Sequence, residues 1–376
     1  MEKKYKKKVL VVGAGLAGAT IARILAENSI KVQIIEKRSH LAGNAYDYVN
    51  SKNERIHKYG PHLLHCNKND KALSFLSKFT SWIHYEHKVR ALLNDGRTTP
   101  LPINKNTLQD VYKKKFKSEE EVKKFLNSIR NRKIIPKNTD EFFEANVGNK
   151  LADIFFRPYT KKMWGLDPKE LTLSIGARLP IRTNDDDRYF NDSFQALPKE
   201  GYTKMITKMI EHENIKINLE TNFKKGMELD FDHSFLCIPI DKFYDYKFGV
   251  LPYRSIQFEN REEESLNSKT AVINFTDQSP YTRKTQWNLF PNSGKSNKNI
   301  STITYEIPCS MEDNPNEYYY PVQTLKAKKI YDKYKKLSKK QKNITFCGRT
   351  GLFKYIDMIP AVTIHQKIAS EFLKNL

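Results

Sequence analysis

The sequence has few cysteines and no long uninterrupted apolar segment. It contains four cysteines in 376 residues, and no two of them are closely spaced. This scarcity argues against a disulfide framework and a zinc site, and it is typical of proteins from a reducing compartment. The apolar run near the N-terminus is too short to span a bilayer and is interrupted by glycines. The sequence therefore predicts a soluble, cytoplasmic protein with no metal site and no membrane span.

Acidic residues are also comparatively few. The chain has 65 Lys and Arg residues against 43 Asp and Glu residues, which gives a formal net charge of +22. Such an excess suits nucleic acid, an anionic membrane surface or a polyanionic small molecule. The lysines, however, lie in helical stretches such as 113–117 and 333–342, and the sequence contains no known nucleic-acid-binding module. We therefore expect no nucleic-acid partner, and we interpret the excess as a lysine-rich surface around a nucleotide-binding site.

The N-terminal segment has the pattern of a dinucleotide-binding unit. A predicted strand at 8–12 precedes the turn 13–18, which reads G-A-G-L-A-G, and a helix and a second strand at 31–36 follow. The alternative is a secretory signal, because basic residues precede the apolar run. Signal peptides need neither an ordered glycine spacing nor an acid at the end of a strand, so we prefer the nucleotide-binding interpretation.

Each conspicuous residue of this unit has a predicted task. Gly13 permits the tight turn, Gly15 lets a pyrophosphate approach the backbone, and Gly18 allows the helix to pack closely on the strand. The N–H groups at the start of the helix then face the phosphates. Glu36 ends the second strand, where it is placed to accept hydrogen bonds from an adenosine ribose. An acid at this position favours FAD or NAD over NADP.

The rest of the chain predicts an α/β protein of three units, which we define by the following ranges. A discontinuous Rossmann-like nucleotide-binding domain comprises residues 1–80, 200–242 and 343–376, with a loop at 39–50 and a final helix from about 358 to 373. A helical insertion occupies 103–176, with helices predicted over 108–116, 119–129 and 140–159. An antiparallel sheet domain comprises 81–102, 177–199 and 243–342, with strands predicted over 254–258, 270–275 and 300–307.

The most specific motifs lie beyond the first unit. They are residues 56–65, 155–171 (including Y-T-K-K-M-W-G at 159–165), 177–182, 201–204, 274–283, 318–322 and 354–358. Together they resemble the bacterial UDP-galactopyranose mutase family, in the family's order and over nearly the whole chain. The resemblance implies an FAD enzyme that interconverts a nucleotide-linked hexopyranose and its hexofuranose isomer without net redox change. In this family the flavin is reduced, and its N5 atom forms an iminium adduct with the sugar.

The resemblance also implies roles for single residues, with Arg178 on a mobile loop and Arg283 as the two arginines that bind the diphosphate. The catalytic candidates are Arg178, Arg283, His62, Tyr355 and Asp357. The cofactor-binding candidates are Gly13, Gly15, Leu16, Gly18, Glu36, Lys37, Gly43, Asn44, His62, Arg349 and Met358. The substrate-binding candidates are Phe156, Tyr159, Thr160, Trp164, Arg178, Tyr189, Asn274, Arg283, Tyr320 and Tyr355.

Several alternatives stay open at this point. Asp357 can also be the N-cap of the final helix, and His65 is interpreted as structural. Pro61 and the three aspartates at 185–187 depart from the family pattern, which leaves the sugar and the nucleotide undecided. UDP-galactose is the first candidate, and UDP-N-acetylgalactosamine and a dTDP-linked 6-deoxyhexose are the others.

Other functions and partners are also considered. An FAD oxidoreductase of the amine-oxidase type and a non-catalytic nucleotide-sugar-binding protein are the alternative functions. The expected partners are the nucleotide sugar, NAD(P)H or a flavin reductant as activator, and a second copy of the chain in a homodimer. The expected role is in the biosynthesis of cell-surface polysaccharide.

Overall fold

The computed structural model describes residues 7–176, 180–265, 270–294 and 299–376. Within these ranges there are seventeen strands: β1 (Lys8–Val12), β2 (Lys31–Ile35), β3 (Asp47–Val49), β4 (Arg55–His57), β5 (Leu64–Cys66), β6 (Trp82–His84), β7 (Val89–Leu92), β8 (Thr98–Leu101), β9 (Phe194–Pro198), β10 (Ile215–Asn218), β11 (His233–Leu236), β12 (Tyr253–Glu264), β13 (Val272–Phe275), β14 (Arg283–Gln286), β15 (Ile300–Cys309), β16 (Tyr320–Pro321) and β17 (Ile344–Phe346).

The same ranges contain thirteen α-helices: α1 (Leu16–Glu27), α2 (Lys71–Leu76), α3 (Lys105–Tyr112), α4 (Glu119–Ile129), α5 (Thr139–Val147), α6 (Asn149–Leu151), α7 (Arg157–Trp164), α8 (Leu173–Gly176), α9 (Tyr202–Ile210), α10 (Ile240–Phe243), α11 (Leu325–Ser338), α12 (Gly348–Gly351) and α13 (Met358–Lys374). No helix in the described ranges is both long and apolar enough to cross a bilayer.

A five-stranded parallel sheet in the order β10-β2-β1-β11-β17 forms the nucleotide-binding domain. Alternate side chains of β1 point to opposite faces of the sheet, as strand geometry requires. Val9 and Val11 join the core formed with α1 and α13, whereas Leu10 and Val12 join a second core with α10 and α11. Both faces are therefore covered, which explains the continuous apolar run in this strand. The five strands lie within the three segments that the sequence assigns to this domain.

A seven-stranded sheet in the order β16-β12-β15-β14-β13-β7-β8 forms the second layer. Its pairings are antiparallel, as expected from the sequence, except that β7 and β13 run parallel. A parallel pair needs a long connection, and here the chain between β7 and β13 includes the whole helical insertion. Two smaller antiparallel sheets, β5-β9-β6 and β3-β4, complete the architecture. The predicted loop at 39–50 thus contains the strand β3, and β9 lies in the segment 177–199, for which no strand was predicted.

The helical insertion differs from the predicted pattern in two places, of which the first is α3, which covers Lys105–Tyr112 rather than 108–116. Instead of one helix over 140–159, α5 ends at Gly148, and α6 and a π-helical turn at Ala152–Phe156 lead into α7. Gly148 has a φ of +77°, and a Cβ there would lie 2.1 Å from the carbonyl oxygen of Ile129. Pro158 has no N–H for a regular helical bond near the start of α7. The predicted helix is therefore divided at Gly148, and the π-helical turn leads without a break into α7.

Candidate active site

A cavity of about 710 Å³ lies at the carboxyl ends of the parallel strands. Val12, Ile35 and Cys237, which end or follow β1, β2 and β11, line it. In open parallel sheets ligands bind at this edge. The volume lies in the range of roughly 300–1,000 Å³ that is typical of small-molecule and cofactor sites.

The glycine turn has the backbone geometry that the sequence predicts. Gly13 has a φ of +105°, and a Cβ on Gly18 would lie 2.0 Å from the carbonyl oxygen of Gly13. Only glycine therefore lets α1 start so close to β1. Gly15 has an additional packing task, because Gly43 approaches it so closely that a Cβ on Gly43 would lie 3.0 Å from its Cα.

Glu36 is buried at the edge of the cavity and is already hydrogen-bonded. Its Oε2 accepts the backbone N–H of Ala14 at 2.8 Å, and its Oε1 accepts that of Arg38 at 3.0 Å. A carboxylate has about four lone-pair positions, so two remain for the hydroxyls of a ribose. Glu36 thus also fixes the glycine turn, a task that its spacing in the sequence did not reveal.

All of the predicted cofactor-binding residues line this cavity: Gly13, Gly15, Leu16, Gly18, Glu36, Lys37, Gly43, Asn44, His62, Arg349 and Met358. The cavity wall also contains Arg38, Lys225 and Lys242, which no motif indicated. These cations outnumber the acids of the wall, Glu36 and Asp245. Excess positive charge beside a glycine turn and a helix start suits a pyrophosphate, so these residues fit a dinucleotide cofactor.

Arg349 lies at the boundary between this cavity and a cluster of tyrosines. Its guanidinium donates to the carbonyl oxygens of Tyr319 and Ile356 at 2.9 and 3.0 Å. It also lies 4.7 Å from the ring centroid of Tyr355 and 5.5 Å from that of Tyr320. The two tyrosine rings are stacked on each other, with centroids 5.7 Å apart. Arg349 therefore links the cofactor cavity to two predicted substrate-binding residues.

Asp357 precedes α13 and binds Tyr355. Its carboxylate Oδ1 accepts the hydroxyl of Tyr355 at 2.7 Å. It occupies the N-cap position of α13, but its side chain makes no capping hydrogen bond. Asp357 therefore occupies the N-cap position that the alternative interpretation gave it, but its carboxylate binds Tyr355 instead of capping the helix.

Arg283 forms a buried ion pair with Glu306 on the neighbouring strand. Their Nε and Oε1 atoms are 2.8 Å apart, and the two residues are directly opposite in the pairing of β14 with β15. The side chains are 23% and 2% exposed. Burial acts to lower the pKa of Arg283, but the carboxylate of Glu306 outweighs it and keeps the guanidinium charged. Asn274 is opposite Arg283 on β13, so it belongs to the same cross-strand row.

Helix α7 brings its aromatic residues to this cluster. The Trp164 ring packs edge-on against Tyr320, with centroids 6.0 Å apart. Burial raises the pKa of the Tyr159 hydroxyl, and the charge of Arg283 opposes that shift, with Tyr189 and Tyr320 also acting on it. Thr160 is buried one residue further along.

Phe156 lies elsewhere, at the end of the π-helical turn. Its ring stacks on Phe143 of α5 with centroids 4.8 Å apart, so it packs in the helical insertion. Its predicted role in lining the substrate pocket stays a prediction.

His62 is held as a neutral imidazole between the two arginines. Its Nδ1 lies 2.9 Å from the carbonyl oxygen of Gly60, which can only accept, so Nδ1 carries the proton. Burial lowers its pKa to about 3, and the charges of His57, Arg349 and Arg283 act in the same direction. The Nε2 atom is therefore an acceptor at neutral pH.

His65 has contacts that suit its interpretation as a structural residue. Its Nδ1 lies 2.8 Å from Oδ2 of Asp192, and its ring stacks on Phe190 with centroids 3.6 Å apart. These contacts join β5 to the segment before β9.

Arg178 lies outside the described residues, so its role stays a prediction. The neighbouring acidic run is described, and cations neutralise it: Asp185 pairs with Lys105, Asp186 with Arg182 and Arg188, and Asp187 with Lys88. Hydrogen bonds from Arg188 lower the pKa of Asp186 to about 2, so this carboxylate is ionised. The three aspartates are therefore engaged in ion pairs, which offset their negative charge.

Other residues of the site could not be found from the sequence. Glu306 is 23 positions from Arg283 and belongs to no motif. Lys162 lies in the motif at 155–171, but its partners could not be predicted. Lys162 and Arg254 donate hydrogen bonds to backbone carbonyl oxygens of other segments, and such acceptors have no sequence signature. His87 lies beside Tyr189 in a T-shaped contact at 5.5 Å, but no spacing indicated it.

Comparisons with known proteins agree on one family. The UDP-galactopyranose mutase family model matches residues 154–355, and a model for an NAD(P)-binding Rossmann-like domain matches residues 11–79. A probable UDP-galactopyranose mutase from Klebsiella pneumoniae is 36% identical over 373 residues, covering 98% of this chain and 96% of that protein. A dTDP-fucopyranose mutase from Escherichia coli is 35% identical over 378 residues, covering 98% and 99%. The crystal structure of a reduced UDP-galactopyranose mutase has the same fold, with a TM-score of 0.77, 15% identity, and coverage of 99% of this chain and 96% of that one.

Proposed function

Since the chain belongs to the UDP-galactopyranose mutase family, we propose that it interconverts the pyranose and furanose forms of a nucleotide-diphosphate hexose. UDP-galactose is the first candidate for the substrate. A dTDP-linked 6-deoxyhexose is the second, because a relative that acts on dTDP-fucopyranose is almost equally similar. UDP-N-acetylgalactosamine is the third.

The cavity at the carboxyl ends of the parallel strands is the site that we assign to FAD. Glu36 would hold the adenosine ribose, while the glycine turn and the start of α1 would hold the pyrophosphate. When bound and reduced, FAD supplies a nucleophile for the anomeric carbon of the sugar. His62 would meet the cofactor with an unprotonated Nε2 atom, so it can accept a hydrogen bond but cannot add positive charge.

The tyrosine and arginine cluster would bind the diphosphate that leaves the sugar. Arg283 can form charge-assisted hydrogen bonds with phosphate oxygens, and these bonds strengthen as negative charge develops there. The hydroxyl of Tyr320 would act as a further donor beside Arg349. The Tyr355 hydroxyl donates to Asp357, so it would donate to a phosphate only by exchanging that hydrogen bond. The Tyr159 and Trp164 rings would enclose the nucleoside and the sugar.

A single observation supports this proposal most strongly. Arg349, which lines the dinucleotide-type cavity, lies against the stacked pair Tyr320 and Tyr355, and the charge of Arg283 acts on His62 of the cavity wall. If a bound cofactor is to react with a nucleotide sugar, the cluster that binds the diphosphate must lie next to the cavity that binds the cofactor.

The test is an isomerisation assay with the purified flavoprotein. Reduced by dithionite under anaerobic conditions, it should convert a pyranose nucleotide sugar to the furanose without consuming reductant, and the oxidised protein should be inactive. The three candidate substrates are compared by chromatographic separation of the two isomers. Conversion of none of them would refute the mutase proposal. Bleaching of the oxidised flavin by an amine would instead favour an oxidoreductase.

We propose the remaining properties from the sequence alone. NAD(P)H or a reduced flavin would act as the activator, the location would be cytoplasmic, and the protein would be a homodimer. Flavin reduction rates, cell fractionation and sedimentation velocity test these three properties.

A further inference from the structure

Lys162 of helix α7 has an unusual set of partners. Its Nζ donates to the carbonyl oxygens of Phe275, Asp277 and Tyr281 at 3.1, 3.1 and 2.7 Å. A lysine ammonium has three donors and no acceptor, so these three carbonyl oxygens use its full donor capacity. The side chain is 16% exposed, and the carboxylate of Asp277 lies 3.7 Å away.

Two of the three carbonyl oxygens, those of Asp277 and Tyr281, belong to the loop between β13 and β14, and the third belongs to Phe275, the last residue of β13. Asn274 is the next-to-last residue of β13, and β14 begins with Arg283 immediately after the loop. The N–H of Phe275 donates to the carbonyl oxygen of Thr282 at 2.9 Å and closes the base of the loop. A movement of this loop would therefore also move Arg283, the residue that follows it.

Helix α7 is fixed at other points to different parts of the molecule. Arg157, its first residue, pairs with Asp140 of α5 in the helical insertion. At its end, the carbonyl oxygens of Lys162 and Met163 accept hydrogen bonds from Arg254 of β12. Among the described residues, Lys162 is the side chain of α7 that hydrogen-bonds the backbone of the β13–β14 loop.

Tyr159 and Trp164 lie within one turn of this lysine. Positions three apart on a helix are neighbours on its surface, so Tyr159 and Lys162 share one face of α7. A rotation or shift of α7 at Lys162 would change the distance between Tyr159 and Arg283.

We propose that Lys162 is a positioning residue. Through its hydrogen bonds to the backbone at the β13–β14 loop, it sets the distance between Arg283, which would bind the diphosphate, and the rings of α7, which would bind the nucleoside. This inference rests on the proposed function, because it assumes that the rings of α7 and the Arg283 guanidinium bind two parts of one substrate. Lys162 itself touches no reacting atom in this scheme.

The test compares two adjacent lysines. Lys161→Met is the matched control, because Lys161 is exposed at the neighbouring position of the same helix. In holoprotein with full flavin content, Lys162→Met should raise the Kd for UDP and the KM for the nucleotide sugar by about tenfold or more. The kcat should fall by a smaller factor. Lys161→Met should leave all three within about twofold, and Lys162→Arg, which keeps the charge and several donors, should lie between the two.

The possible results separate this inference from the proposed function. If Lys162→Met does not fold, Lys162→Gln replaces it, with the same expected direction. A Kd and a KM within twofold of native in a folded Lys162 variant would overturn the inference, as would an equal loss in Lys161→Met. Native holoprotein that neither binds UDP nor isomerises any candidate sugar would overturn the proposed function and this inference together.

Discussion

Replacing Arg283 with alanine is expected to make the stability of the protein strongly dependent on pH. In the native protein the Arg283 guanidinium lies 2.8 Å from the Glu306 carboxylate, whose side chain is 2% exposed. Removing one partner of a buried pair leaves the other charge without compensation, at a cost of about 3–5 kcal/mol. The full cost applies only while Glu306 is ionised.

The direction of the pH dependence follows from the remaining carboxylate. Burial raises the pKa of Glu306 above its ordinary value of 4.5, and Arg283 opposes this shift in the native protein. Without Arg283 the folded-state pKa rises further, so the folded protein retains a proton that the unfolded chain releases. The contribution of this carboxyl group to the free energy of unfolding is then largest below pH 4.5, and it falls by about 1.4 kcal/mol per pH unit as the pH rises toward the folded-state pKa.

The assay is urea denaturation of the holoprotein at pH 5 and pH 8, followed by tryptophan fluorescence. Arg283→Ala should lose much more stability at pH 8 than at pH 5. Glu306→Gln, combined with Arg283→Ala, should return the difference in stability between pH 5 and pH 8 to that of the native protein and recover most of the loss, because the amide cannot ionise. An equal loss at both pH values, or no recovery in the double variant, would refute this reasoning.

Three other changes have equally definite expected outcomes. Gly18→Ala would put a Cβ 2.0 Å from a backbone carbonyl oxygen, so the purified protein should have little flavin absorbance; full flavin content would contradict this. Burial lowers the pKa of His57 to about 4 and that of His87 to about 3. Stability in urea should therefore fall as the pH drops from 6.5 toward 4, and His87→Asn should reduce that slope; an unchanged slope would argue against the buried neutral ring. Tyr355→Phe removes a 2.7 Å hydrogen bond to Asp357, so kcat/KM should fall by about tenfold at normal flavin content; a native value would refute the contact's role.

The cofactor cavity was largely predictable from the sequence, because its residues lie in contiguous motifs. The turn at 13–18 and the acid at 36 belong to one βαβ unit, so local spacing determines their geometry. His62, Arg349 and Met358 could be placed only through the family resemblance. The parallel sheet brings Arg349 and Met358, which follow β17, to the same edge as the turn, and His62 reaches this edge from the segment between β4 and β5.

The interactions that hold Arg283 and the helix α7 in place were not predictable in the same way. The partner of Arg283 lies on another strand, and its identity depends on the register between β14 and β15. The break of the predicted helix 140–159 did have a signal, since Gly148 and Pro158 both lie within it. The periodic apolar residues outweighed that signal in our prediction.

The two described arginines of the site are held in different ways, and the difference bears on how each would act on an anion. Glu306 compensates the charge of Arg283, so this side chain is fixed in direction but partly neutralised. Arg349 is held by two carbonyl oxygens and two tyrosine rings, and no ion pair within the described residues includes it. An uncompensated charge attracts an anion over a longer range than a paired one. Arg349 would therefore contribute most of the attraction at the cavity boundary, whereas Arg283 would contribute directed hydrogen bonds once the diphosphate is in place.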